Sequence, residues 1–316
     1  MADPVLPLIS VLVGLGGLWV GAALTLRGAL RMIGRDTRWE VVLGSAVLGL
    51  GAALPEVGIA VVGAGWGSHA AGVSGLIVGT AVGSVLARAT LVLGSAVLLG
   101  AAEDEAAPLP PRPPVVLTAI ILVGILAMDG ALTRPDGIVL LVAWLLYTGL
   151  RMRAGSLSSE EAPKAVHGLL PDAVLVGFGI VVIAAASWFV VPAGQALSAG
   201  WGASPLLVGL LVLAVGASLP ELVFALSAAT RGRAGLSASS VLRTGTVGLL
   251  LPLGLAAVIA PIVVAPDVRR ADLPALALAV LGLWAWGRER PNVPRWLGAL
   301  LVLYFMSYAL IRMFLG

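Results

Sequence analysis

Ten apolar stretches occupy most of the 316-residue chain, and each approaches the roughly 20 residues that a helix needs to cross a bilayer. Hydrophobic residues make up 59% of the sequence and charged residues only 11%, with a mean hydropathy of +1.07. A water-soluble core of this length cannot bury so much apolar sequence. We therefore predict an all-α polytopic membrane protein with ten transmembrane helices, near 5–27, 40–63, 73–100, 114–128, 136–151, 171–191, 203–229, 237–262, 273–287 and 294–314.

The longest polar stretch divides these helices into two groups of five. It covers residues 152–170 and is rich in Ser, Gly, Glu and Pro, so it cannot bury enough apolar area to fold independently. An odd number of helices in each half gives the halves opposite orientations, which is the inverted-repeat architecture of many secondary transporters. The sequence thus predicts a first repeat over 1–151, a cytoplasmic linker over 152–170 and a second repeat over 171–316.

Basic residues in the loops predict the orientation. Loops after the odd-numbered helices carry 13 Lys and Arg, and the remaining loops carry four. The positive-inside rule then places both termini outside a cytoplasmic membrane. The net charge of +3 is read as this topology signal, so we expect the lipid bilayer and no nucleic acid as a partner, while protein partners stay unknown.

One motif occurs twice inside the apolar stretches, as LGLGAALPEV at 48–57 and LAVGASLPEL at 213–222. Each copy places a glutamate, Glu56 or Glu221, where a membrane normally excludes charge, and such a residue is a functional-site hypothesis by default. Proline removes an amide donor and glycine allows close backbone approach. We therefore expect helices two and seven to be broken at these four residues: Gly51, Pro55, Gly216 and Pro220.

The helix after each motif repeats as well, as VGTAVGSVLARATLVLG at 78–94 and SSVLRTGTVGLLLPLG at 239–254. The duplicated regions thus extend over 44–94 and 209–254. These helices contain Arg88 and Arg243, the two basic residues predicted to lie inside the membrane.

These paired regions resemble the alpha repeats of the calcium/cation antiporter superfamily, which includes sodium/calcium exchangers. That family's repeats read approximately Gly-Thr-Ser-x-Pro-Glu/Asp, followed by Gly-Ser-x-x-x-Asn/Asp on the next helix. The resemblance implies alternating access around a central cation site on helices two, three, seven and eight, with oxygen ligands for sodium and calcium and no enzymatic chemistry. Sodium, calcium or protons would be transported ions, and no cofactor is expected.

The match to that pattern is partial. The residues that fall on the family's ligand positions are Glu56, Glu221, Ser218, Ser84 and Thr244, and both glutamates are candidate metal ligands. Arg88 and Gly248 replace the family's amide or acid on the following helices. Calcium takes six to eight oxygen ligands, so the site is expected to be remodelled, with Arg88 and Arg243 compensating charge or gating.

Three functions stay open at this point. The first is exchange of a cation, with a proton or sodium as the coupling ion. The second is transport of an anionic or zwitterionic solute that Arg88 binds. The third is a non-transporting scaffold in which the arginine replaces the ion.

Overall fold

A computed structural model describes residues 4–33, 50–66, 71–99, 115–153, 169–230, 234–289 and 294–315. The first half contains α1 (Val5–Ile33), α2 (Leu54–Gly65), α3 (Ala71–Ala87), a π-helical turn (Arg88–Val92), α4 (Leu93–Leu99), α5 (Val115–Leu126), β1 (Ala131–Leu132) and α6 (Arg134–Arg153). The second half contains α7 (Leu169–Trp201), α8 (Pro205–Leu207), a π-helical turn (Val208–Leu213), α9 (Ala214–Ala217), α10 (Leu219–Ala229), α11 (Ala234–Ile259), β2 (Ile262–Val263), a π-helical turn (Val268–Asp272), α12 (Leu273–Glu289) and α13 (Arg295–Leu315).

Helix lies within each of the ten predicted spans. Four continuous helices are long and apolar enough to cross a membrane alone: Val5–Met32, Gly72–Leu99, Leu170–Trp201 and Arg295–Phe314. Pro205–Ala217 and Leu219–Ser227 together form a further candidate span, bent by 41° at its break. Shorter apolar helices cover Leu54–Gly65, Val115–Leu126 and Thr244–Ile259.

Two helices run further than predicted. The first was expected to end at residue 27, but α1 continues past Arg27 to Ile33. Arginines near a helix C-terminus are favourable partners of the helix dipole, so they extend α1 rather than stop it. The sixth was expected to end at residue 191, before Pro192, yet α7 runs on to Trp201, since neighbouring helices can compensate for a proline in a membrane helix.

The span that follows the first helix break forms the centre of the bundle. In the candidate span Gly72–Leu99, 94% of the most apolar window is buried, against 33% in the spans of α1 and α7. These last two pack against each other at the periphery along small residues. A methyl group on Gly21 would approach the Gly179 carbonyl oxygen to 2.8 Å, which explains why glycine is needed at this crossing.

A short antiparallel ladder closes one end of the bundle. Ala131 pairs with Val263 and Leu132 with Ile262, which joins the α5–α6 connection to the α11–α12 connection. The Val263 amide also donates to the Ser74 hydroxyl at 3.2 Å. The ladder therefore links both connections to α3 at the end predicted to lie outside.

Candidate ion site at the paired helix breaks

The first helix break lies at Ala52 and Ala53. Helix ends at Gly51, and α2 begins at Leu54 with Pro55 in its first turn. Proline is well tolerated there because amides in the first turn have no intrahelical acceptor. Glu56 also lies in this first turn, where the positive end of the helix dipole stabilises a carboxylate.

The second break has the same construction. A single turn residue, Ser218, separates α9 from α10, and Pro220 and Glu221 lie in the first turn of α10. The Ser218 amide still reaches the Ala214 and Val215 carbonyls at 3.1 Å each. Both carboxylates thus occupy the N-terminal ends of half-helices. Both breaks fall just before the Leu-Pro pairs, so each proline lies in the first turn of the outgoing half-helix.

The Arg88 guanidinium joins the two breaks. Its Nη2 donates to Glu56 Oε1 and to the Ala52 carbonyl at 2.9 Å, and it lies 3.4 Å from Glu221 Oε1. The Ala52 carbonyl is one that the helix break releases, so Arg88 supplies a donor that the missing helical turn cannot. The sequence predicts that Arg88 neutralises one carboxylate or gates the site. In the structure Arg88 lies beside both carboxylates.

The two carboxylates differ in accessibility. The Glu56 side chain is fully buried and that of Arg88 is 1% exposed, whereas 25% of the Glu221 side chain is exposed. Buried ion pairs are stabilising only when their polar atoms are well satisfied. Among the described residues, Glu56 Oε2 and Arg88 Nη1 have no hydrogen-bond partner, so this pair is incompletely satisfied.

The predicted hydroxyl ligands are placed unequally. Ser84 is buried beside Glu56, and its hydroxyl donates to the Ala81 carbonyl at 3.2 Å. The Ser218 hydroxyl donates to the Ala214 carbonyl at 2.9 Å, which leaves its oxygen lone pairs for another partner. Thr244 is half-buried on α11. The side chain of Arg243, also on α11, lies outside the described residues.

The described side chains of the site carry one net negative charge. Two carboxylates, Glu56 and Glu221, surround one guanidinium, Arg88. Within the described ranges no three His, Asp or Glu side chains converge as a metal centre would require. The candidate metal ligands Glu56 and Glu221 instead lie beside the guanidinium of Arg88.

Trp19 is a site residue that the sequence analysis missed. Its indole Nε1 donates to the Gly216 carbonyl at 3.1 Å, so α1 supplies a donor at the second break as Arg88 does at the first. A tryptophan in an apolar helix carries no sequence signal for this contact. The only available indication was that two broken helices release carbonyls that need donors from elsewhere.

Two broken helices that meet at a buried charged site, within a bundle of apolar helices, define a secondary transporter of the inverted-repeat class. The family model described as sodium/calcium exchanger protein matches residues 6–153 and 172–314. The chain belongs to this family, which confirms the resemblance stated from the sequence.

The similarity to three named relatives extends over nearly the whole chain. The inner membrane protein YrbG of Escherichia coli is 29% identical over 297 residues, covering 86% of this chain and 89% of YrbG. The putative antiporter CaxA of Alkalimonas amylolytica is 26% identical over 313 residues, covering 95% and 96% of the two chains. The uncharacterised membrane protein MJ0091 of Methanocaldococcus jannaschii is 29% identical, covering 96% of this chain and 97% of its own.

The fold matches solved structures of the sodium-calcium exchanger NCX_Mj. One of them, soaked with 2.5 mM sodium and 1 mM strontium, superposes with a TM-score of 0.60 at 21% identity, covering 97% of this chain and 98% of that chain. Another, soaked with 10 mM sodium without calcium, gives 0.59 at 20% identity, covering 96% and 98%. The predicted all-helical fold of ten spans in two inverted five-helix repeats is confirmed, and the protein is a membrane antiporter by family.

Proposed function

We propose that this protein exchanges a monovalent cation, sodium or a proton, by alternating access, and that Glu221 is the carboxylate that exchanges its cation during the cycle. The net charge of the described site supports this proposal most directly. Two carboxylates and one guanidinium leave a single negative charge. One monovalent cation or proton neutralises these three described groups, whereas a calcium ion beside them would leave excess positive charge in a low-dielectric interior.

The division of roles between the carboxylates follows from burial and contact. Glu56 is fully buried against Arg88, so its charge is already compensated. Glu221 lies further from the guanidinium, at 3.4 Å, and a quarter of its side chain is exposed. We infer that Glu56 fixes the arginine while Glu221 meets the transported ion, with Ser84, Ser218 and Thr244 as neutral oxygen ligands.

The predicted orientation indicates the side of the membrane to which Glu221 is accessible. With both termini outside, α10 leads from the break toward the cytoplasmic side, where the basic loops are expected. The exposed part of Glu221 belongs to this half-helix. We therefore propose that the described conformation offers Glu221 to the cytoplasm, while the ladder of β1 and β2 holds the opposite end together.

The test is exchange in proteoliposomes that contain the purified protein. An imposed proton or sodium gradient is expected to drive counterflow of the other cation, and Glu221→Gln should abolish it. The Glu221→Gln variant keeps the contact between Arg88 and Glu56, so its melting temperature should stay close to that of the wild type. Unchanged flux in the folded Glu221→Gln variant would contradict the role proposed for Glu221.

The two other candidate functions predict different results in the same assay. Transport of an anionic solute requires loss of flux per folded molecule in Arg88→Ala and competition by small carboxylates. A scaffold shows no flux in a correctly folded wild-type protein. Either outcome would replace cation exchange as the function.

A further inference from the structure

A groove lies between the antiparallel helices α12 and α13, which contact each other at both of its ends. At one end the rings of Trp286 and Trp296 meet edge to face, with their centroids 4.9 Å apart. At the other end the Tyr304 hydroxyl donates to the Ala275 carbonyl at 2.7 Å. Between these contacts the two helices enclose a groove of about 410 Å³.

The groove is apolar and opens toward the outside of the bundle. Buried side chains form its floor and half-exposed ones its rim, namely Ala279, Leu283 and Leu301, and then Leu278 and Leu300. A methyl group built on Gly282 would meet no atom within 4 Å, so this glycine leaves space where a side chain would fit. An empty groove would deprive its lining of dispersion contacts, and in a bilayer the molecules that can fill it are lipids.

The length of the groove matches one lipid leaflet. Ala275 and Trp286 are 11 residues apart on α12, and such a helical segment rises about 16 Å. Half of a hydrocarbon core of about 30 Å is about 15 Å. A helix of roughly 10 Å diameter needs much more space over the same length. The groove therefore fits an acyl chain that extends from the headgroup level to the midplane.

The end of the groove at Trp286 and Trp296 has the features of a headgroup level. Tryptophans are enriched at membrane–water interfaces. Arg295 is exposed at the start of α13, next to Trp296, and the sequence 288–295 contains three arginines and one glutamate. Guanidinium groups and the free amides of a helix N-terminus both bind phosphate oxygens. The chemistry at this end thus favours an anionic headgroup.

We propose that the groove between α12 and α13 binds one anionic glycerophospholipid of the cytoplasmic leaflet, with an acyl chain along the groove and the phosphate beside Arg295. The leaflet follows from the orientation that the basic loops predict. The residues that line the groove are distinct from those of the ion site. This inference therefore goes beyond the proposed cation exchange and does not depend on it.

Native mass spectrometry of the purified protein, mixed with equal amounts of phosphatidylglycerol and phosphatidylcholine of the same acyl chains, tests the proposal. We expect the wild type to retain one phosphatidylglycerol with about a fivefold preference, because one basic residue near an anionic headgroup favours binding by about this factor. Gly282→Leu should reduce retention of both lipids several-fold, since leucine occupies the groove.

Gly177→Leu is the matched control for the groove. Gly177 is exposed on α7, and a methyl group built on it also meets no atom within 4 Å. Both leucine variants should keep the melting temperature of the wild type, because each added side chain enters open space. Equal lipid retention in Gly282→Leu and Gly177→Leu would overturn the proposed site.

Arg295→Gln tests the headgroup separately and leaves the groove intact. It should lower the preference for phosphatidylglycerol, whereas Arg27→Gln, at an exposed position on the same predicted side of the membrane, should keep it. Equal preference in these two variants would overturn the role of Arg295. A wild type that retains both lipids equally would overturn the anionic headgroup. Because the assay measures no flux, a failure of cation exchange leaves its outcome unchanged.

Discussion

At the scale of single residues, Arg88 has two functions that the structure allows us to separate. It compensates the charge of buried Glu56, and it caps the Ala52 carbonyl at the break. A lysine ammonium is more strongly hydrated than a guanidinium, so it would lose more hydration free energy in this buried position. The arginine is therefore both an electrostatic and a structural element of the site.

Replacement of Arg88 by alanine should destabilise the protein strongly. Removing one partner of a buried ion pair leaves an uncompensated charge, which typically costs about 3–5 kcal/mol. We expect a clear drop in the melting temperature of the purified protein. Arg88→Ala combined with Glu56→Gln should recover much of this loss, because no buried charge then stays unpaired.

The informative contrast is with Glu221→Gln, which removes a partly exposed carboxylate and leaves the buried pair intact. If Arg88→Ala were as stable as Glu221→Gln, the pair would contribute little, and the assignment of Glu56 as a fixed partner would be wrong.

At the scale of elements, a second charged cluster joins α13 to the π-helical turn that precedes α12. Arg312 on α13 lies 3.0 Å from Asp272 Oδ1 and 3.5 Å from Asp267 Oδ2, and the Tyr308 hydroxyl donates to Asp272 Oδ1 at 2.8 Å. Arg312 is one of the four basic residues that the count of loop charges assigned to the external side. That assignment was wrong, because the residue lies within α13 and is 5% exposed. A buried aspartate needs a cation, and only the packing of α13 provides it.

This cluster predicts a stability effect without a transport effect. Arg312→Met would leave fully buried Asp272 without its cation and should lower the melting temperature by several degrees or more. Arg270→Met, at an exposed position in the same π-helical turn, serves as the control and should change it little. Among the described residues no hydrogen bond or ion pair joins the cluster to Glu56, Arg88 or Glu221, so flux per folded molecule should be retained. Loss of specific flux in Arg312→Met would instead make the cluster part of the transport machinery.

Helix breaks in a membrane require donors from neighbouring elements. Here two different elements provide them: α3 continues into the π-helical turn that begins at Arg88, and α1 presents Trp19 to Gly216. The π-helical turn inserts an extra residue into the helix, and such turns are frequent at functional sites. The breaks are thus stabilised by tertiary contacts that the repeated motif does not itself contain.

At the scale of the whole molecule, the charge distribution predicts an orientation that direct labelling can test. The chain contains no cysteine, so single cysteines report their own side of the membrane. Met128 follows α5 and is 70% exposed. A cysteine that replaces it should react with an impermeant maleimide in intact cells. A cysteine at Ser158, in the predicted cytoplasmic linker, should react only after permeabilisation. The reverse pattern would invert the topology and place Glu221 toward the opposite side.

The sequence by itself determined the class and plan of this protein. Apolar length and the low share of charged residues required a polytopic helical protein, and the duplicated Leu-Pro-Glu turns located both helix breaks and both carboxylates. These features are local or periodic, so they can be read without knowing which helices touch. The end of α1 was misplaced because arginines in a last helical turn are compatible with the helix dipole. The end of α7 was misplaced because neighbouring helices can compensate for Pro192.

Only the tertiary structure decided how the charges are shared. Arg88 is 32 residues from Glu56 and 133 from Glu221 along the chain, and no local pattern states that one guanidinium reaches both. The donor from Trp19 and the partner of Arg312 likewise depend on contacts between distant helices. In a low-dielectric interior the interaction free energy of a charge depends on its neighbours within a few Å, and packing determines which groups those neighbours are.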